Sequence, residues 1–181
     1  VTLNGAVVTL SAGALLNDAG TGLATLTFSG AAAQTVTGAI ASVTAADGEG
    51  TVNAIAGANV VTFVNTLGIA ANSLLAINVG VAGTAGNAVF SSSVDATTIT
   101  VDGEVAGGSS ADFNGNVVGA LTVQSGATAG DTATATIAGN VTGAITLDGQ
   151  NATDVVTITF DGTTAQTMTG DLISETTGEG A

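Results

Sequence analysis

Apolar and hydroxyl-bearing residues alternate along much of this chain. In residues 23–28, Ala24, Leu26 and Phe28 alternate with Leu23, Thr25 and Thr27. In residues 155–160, Val156, Ile158 and Phe160 alternate with Val155, Thr157 and Thr159, and in residues 132–137 Ala133, Ala135 and Ile137 alternate with three threonines. A period of two in β-branched residues predicts strands with one buried face. Short turns follow each run, at Ser29-Gly30, Asn114-Gly115, Ala138-Gly139 and Asp161-Gly162. A second strand comes next, with inward positions Val117, Gly119, Leu121 and Val123, then Val141, Gly143, Ile145 and Leu147 one repeat later. No segment has a helical period, and Ala31-Ala32-Ala33 is too short to nucleate a helix.

The pattern repeats. Thr25-Leu26-Thr27-Phe28-Ser29-Gly30 with Gln34-Thr35-Val36-Thr37-Gly38 recurs far along the chain, as Thr157-Ile158-Thr159-Phe160-Asp161-Gly162 with Gln166-Thr167-Met168-Thr169-Gly170. A nearer match joins residues 115–123 to residues 139–147, with Asn116 and Asn140 as equivalent positions. Superposing the matches marks the rungs at Leu10, Phe28, Phe63, Phe90, Phe113, Ile137 and Phe160, with the widest gap between Phe28 and Phe63. Residues 1–181 then form a single β-repeat segment. Gly38, Gly119, Gly143 and Gly170 fall at inward positions, where each is expected to leave room for a Phe ring; a bulge or a tight corner is the competing reading. The glycine position holds Ile69 after Phe63 and Ala96 after Phe90, which predicts a bulge or inserted loop in the middle rungs.

The fold class expected is all-β: a repeat β-solenoid, parallel β-helix-like, with rungs of about 23–27 residues. Seven such coils make a rod of roughly 35 Å at about 4.8 Å per rung. The alternative is an antiparallel β-sandwich, because Asn114-Gly115 and Asp161-Gly162 between strands are also hairpin signals.

Composition narrows the function. There are 14 acidic residues and no Lys, Arg, His, Cys, Pro, Trp or Tyr among 181, where an ordinary domain of this length has roughly twenty basic residues. A formal charge of −14 argues against nucleic acid as a partner, since phosphate contacts depend on Lys and Arg. It also disfavours anionic membranes. Asn and Ser interrupt the long uncharged stretch 50–94, so no membrane insertion by this segment is expected. Residues 1–4 look like neither a basic nor an apolar part of a signal peptide. Without Lys or Arg, trypsin-type proteases find no site.

Chemistry is sparse. Without His, Cys or Lys the usual nucleophile–base pairs cannot be assembled, and no enzyme activity is expected. A polysaccharide-cleaving β-helix is the least favoured reading: carboxylates Asp47 with Glu49, or Asp102 with Glu104, would have to serve, with no Trp or Tyr as a sugar platform. No cofactor is expected beyond calcium, a hard cation that takes carboxylate and carbonyl oxygens in Gly-rich turns. Its candidate ligands are Asp47, Glu49, Asp102, Glu104, Glu175 and Glu179.

Residues 112–117 and 47–53, Asp-Phe-Asn-Gly-Asn-Val and Asp-Gly-Glu-Gly-Thr-Val-Asn, resemble passenger repeats of bacterial autotransporter surface antigens. The likeness covers most of residues 22–180 and implies a β-helical passenger on the outer bacterial surface, acting in coating or adhesion. The membrane barrel of that family has no counterpart here. The expected function is an extracellular structural protein, forming a cell-surface fibre, stalk or surface layer by stacking β-repeats. The alternative is an adhesin binding a host or glycan ligand through the divergent stretch 68–110. Joining Gly178-Glu179-Gly180-Ala181 to Val1-Thr2-Leu3 recreates the internal passage from Gly48 to Phe63 with a slightly shorter spacer. The expected partners are therefore copies of the chain, or further repeats, placed head to tail.

Overall fold

The computed structural model describes residues 1–17, 23–43, 48–103 and 107–176. Among them there is no helix, and every pair of named strands is parallel. The chain winds upward in about seven turns, each crossing three faces before returning to the first. This is the solenoid; the antiparallel sandwich is excluded, and Asn114-Gly115 and Asp161-Gly162 are corners rather than hairpins.

The alternation read from sequence sets what each face buries. On the second face seven strands stack in order, from Val7–Thr9 through Gln34–Thr37, Val60–Phe63, Asn87–Phe90, Ser109–Phe113 and Thr132–Ile137 to Val155–Phe160. Their inward residues fall in register as Val8, Val36, Phe63, Phe90, Phe113, Ile137 and Phe160. The first face carries the column Leu3, Phe28, Ala54, Val79, Val101, Val123, Leu147 and Ser174. The third is narrower, with Ala14, Ile40, Leu67, Val94, Val117, Val141 and Met168 in line. Val94–Asp102 and Val117–Gln124 bend round the corner from third face to first, which joins ten strands into one sheet.

Two of the expected rung markers are corrected by this register. Phe28 stands on the first face opposite Ala54, and its place in the phenylalanine column is taken by Val36. Leu10 lies beyond its strand, and Val8 takes its place. With Val8 and Val36 as the first two members the column is nearly even, and the wide gap before Phe63 disappears. The reason is that Thr-x-Thr-Phe encodes a strand leading into a corner, and any face can accept it. Phe28 still reaches the stack: its ring meets Phe63 edge-on at 5.1 Å, while Phe63, Phe90 and Phe113 stack face to face at 5.3 and 4.9 Å.

The glycine expectation is corrected too. Gly119, Gly143 and Gly170 have φ of +124°, +134° and +135° and line the corner between the third and first faces. A Cβ on Gly143 would strike the Gly119 backbone, and one on Gly170 would strike Gly143. The rungs approach too closely there for any side chain, so a tight corner, not room for a ring, selects glycine. The middle rungs are irregular as expected: the ladder of Val94–Asp102 shifts register between Asp95 and Thr98, and an antiparallel bridge joins Val81 to Thr84.

Candidate functional site

The corners hold most of the described side-chain hydrogen bonds. In the first long motif the Gly30 N–H donates to Gln34 Oε1 at 2.8 Å, and Gln34 Nε2 donates to the Leu3 and Gly5 carbonyls, both at 2.9 Å. Its second occurrence repeats this: the Gly162 N–H donates to Gln166 Oε1, and Gln166 Nε2 donates to Ile137 and Gly139 at 2.7 and 2.9 Å. Each glutamine thus ties its own turn to the rung beneath. The sequence contained the signal, since Gln recurs at the same motif position, but its role was not legible without the corner. Elsewhere Asn116 and Asn140 accept from the backbone N–H of Asn140 and Thr167 on the next rung.

A polar cluster that the sequence did not reveal lies between the first and second faces near the last turns. Asp154 accepts from the Ser125 hydroxyl at 2.7 Å, the Gly130 N–H at 2.9 Å, and the Asn151 N–H and side-chain amide at 3.0 and 3.3 Å. Desolvation works to raise the pKa of Asp154, and these hydrogen bonds outweigh it, so the group titrates below the usual 3.8. The arrangement fastens the loops around residues 125–130 and 150–154. The neighbouring Asp131 is only 2% exposed, and its Oδ2 accepts no hydrogen bond.

The three described candidate calcium ligands, Glu49, Asp102 and Glu175, sit on separate turns. Glu49 precedes the strand Thr51–Ala54 and is half-buried, with Oε2 lacking a hydrogen-bond partner. Asp102 is buried at the end of Val94–Asp102, and Glu175 is exposed on Leu172–Thr176. Glu175 stands in register with Asp148 and lines a cleft of about 210 Å³ with Leu147, Asn151, Asp154 and Val156. Asp47, Glu104 and Glu179 lie outside the described residues. Among those described, no three His, Cys, Asp or Glu side chains converge as a metal site. The carboxylate pairs Asp47 with Glu49 and Asp102 with Glu104 each have one member outside that set.

Apolar side chains are exposed in the last described turns of the stack. Phe160 is 41% exposed, whereas Phe28, its counterpart in the earlier motif, is fully buried. Leu172 and Ile173 are exposed on the last described strand of the first face, and a cleft of about 240 Å³ opens between Phe160, Gln166 and Met168. No family model, curated protein or solved structure matches this chain.

Proposed function

We propose that this chain is a non-enzymatic structural element of a bacterial cell surface, a stiff β-solenoid rod that serves in a fibre, stalk or surface layer. The observation that carries the reading is the continuity of the core. Three in-register columns run through the stack, and the rings of Phe63, Phe90 and Phe113 lie face to face across three successive turns. A stack in which each rung buries its neighbour is suited to length and stiffness.

Two further features support an exterior setting: the lack of any Lys or Arg for trypsin-type proteases, and the resemblance of residues 112–117 and 47–53 to surface-antigen passenger repeats. Immunogold labelling of intact cells that express the chain tests the location, with label expected on the outer surface. Label confined to the cell interior defeats the proposal. Small-angle scattering tests the shape, the expectation being a rigid rod with a rise of about 4.8 Å per turn.

A further inference from the structure

We propose that Asn114 is a site of spontaneous covalent modification, at which the side-chain amide is lost to the backbone nitrogen of Gly115 and the residue becomes aspartate or isoaspartate. This chemistry goes beyond the structural role and holds wherever the rod resides.

Asn-Gly is the dipeptide in which the reaction is easiest, because no side chain on the glycine hinders its nitrogen from approaching the asparagine Cγ. The chain contains two, Asn4-Gly5 and Asn114-Gly115. The fold treats them differently. Asn4 Oδ1 accepts from the Ser29 hydroxyl at 2.9 Å, and the Gly5 carbonyl accepts from Gln34 Nε2 at 2.9 Å, so side chain and following peptide are both held. Asn114 is exposed, and its side-chain amide makes no hydrogen bond among the described residues. The Gly115 N–H donates none there either.

This corner lacks the clamp found at two of its counterparts. The Gly30 and Gly162 N–H groups donate to Gln34 and Gln166, which withdraws those nitrogens from attack on a neighbouring side chain. Gly115 is followed by Asn116 and then directly by Val117 on the next strand, with no glutamine between.

Glycine is required at this corner, whereas asparagine is not. A Cβ on Gly115 would strike the backbone of Ser92 and Ser93 on the rung beneath, so only glycine permits the rungs to approach. Position 114 carries no such demand. Ser91, Asn114, Ala138 and Asp161 are equivalent, each donating its N–H to the carbonyl of the column residue one rung below, at 2.9, 2.9, 2.8 and 3.0 Å. Asp161 shows that this corner accommodates an aspartate, so that product fits the fold.

In the reaction the Gly115 nitrogen forms a bond to Asn114 Cγ as the Cγ–Nδ2 bond breaks. The proton from Gly115 leaves with the amide nitrogen as ammonia, and a cyclic imide remains. Water then opens the imide: attack at Cγ gives aspartate, and attack at the backbone carbonyl gives isoaspartate. Either product adds a carboxylate to a chain with no Lys or Arg to offset it. Isoaspartate also lengthens the backbone between two inter-rung bonds, from the Asn114 N–H to Phe90 and from the Asn116 N–H to the Ser93 hydroxyl.

Folded chain and chain in urea, incubated side by side at neutral pH, test the site. Both are then cut with a protease specific for acidic residues, since trypsin finds no site, and the peptides are weighed. In urea both Asn-Gly pairs should gain, at similar rates, the single mass unit that separates an acid from an amide. In the folded chain Asn114 should convert about tenfold or more faster than Asn4, which must first release two hydrogen bonds. Asn114→Ser, the residue type at Ser91, should abolish the gain in that peptide, and Asn114→Asp should melt with the native chain. Conversion of Asn114 in urea but not in the folded chain overturns the proposal, as does equal conversion of Asn4 and Asn114 in the folded chain. A marked loss of stability in Asn114→Asp overturns the fit of the product to the corner.

Discussion

Replacing Phe113 with alanine is the sharpest test of the core. The ring is fully buried, lies 4.9 Å from Phe90 with planes 7° apart, and has Ile137 as its neighbour on the rung above. Removing a buried ring costs about 3–5 kcal/mol, including the cavity that remains, and a lost ring pair contributes about 0.5–1.5 kcal/mol. The cavity cannot close easily. The rungs on both sides are held by backbone hydrogen bonds, from the Asn114 N–H to the Phe90 carbonyl and from the Ala138 N–H to the Phe113 carbonyl, at 2.9 and 2.8 Å. A cost of about 4 kcal/mol is therefore expected. Phe160 offers the internal control, being 41% exposed and outside the ring stack; its truncation should cost about 1–2 kcal/mol, roughly half of a full burial term.

Urea unfolding followed by far-UV circular dichroism measures both, the chain having no Trp or Tyr to report by fluorescence. Because stacked repeats can open from their ends, hydrogen exchange at the Asn114 and Ala138 amides should accompany the titration. In Phe113→Ala those amides should lose protection; in Phe160→Ala they should not. A loss below about 1 kcal/mol for Phe113→Ala, or equal losses for the two variants, refutes the stacked column.

Gly143→Ala should destabilise by about 1–3 kcal/mol, because the new Cβ meets backbone at a strained φ of +134°. Gly57→Ala, at φ +64° with open space around it, should cost only about 1 kcal/mol by thermal melting. Gln34→Leu leaves the Gly30 N–H and the Leu3 and Gly5 carbonyls without their clamp and should cost roughly 1–3 kcal/mol; an unchanged melting temperature refutes the clamp. Asp154 has a folded pKa below its unfolded value, so its contribution is present above pH 3.8 and is lost as the pH falls through the lower folded value. Asp154→Asn should accordingly flatten the acid limb of the stability profile, measured by melting between neutral pH and strong acid.

The sequence made the strands legible and left the faces hidden, for a physical reason. Alternation reports which residues of a strand point inward, because side chains alternate every residue on any sheet. It therefore located Ala133, Ala135 and Ile137, and Val117, Leu121 and Val123, all of which are buried. It carries no information on which of three similar faces a strand occupies. Phe28 and Phe160 end matching Thr-x-Thr-Phe motifs and lie on different faces, because the step between them is five turns plus the stretch from Phe28 to Val36. That remainder could be seen only once the turn length was known rung by rung. Glycine misled in the same way: at Gly143 the chain reads as an inward strand position, while its backbone is turning a corner against Gly119. The polar cluster around Asp154 was beyond sequence reasoning, since Ser125 and Gly130 reach it from a different loop and Asn151 from within its own, without any spacing motif. What recurs in this chain is thus a strand, a corner that glutamine can tie, and a second strand. A module indifferent to face tolerates turns of unequal length, and for the same reason one strand motif can end at Phe28 on the first face and at Phe160 on the second.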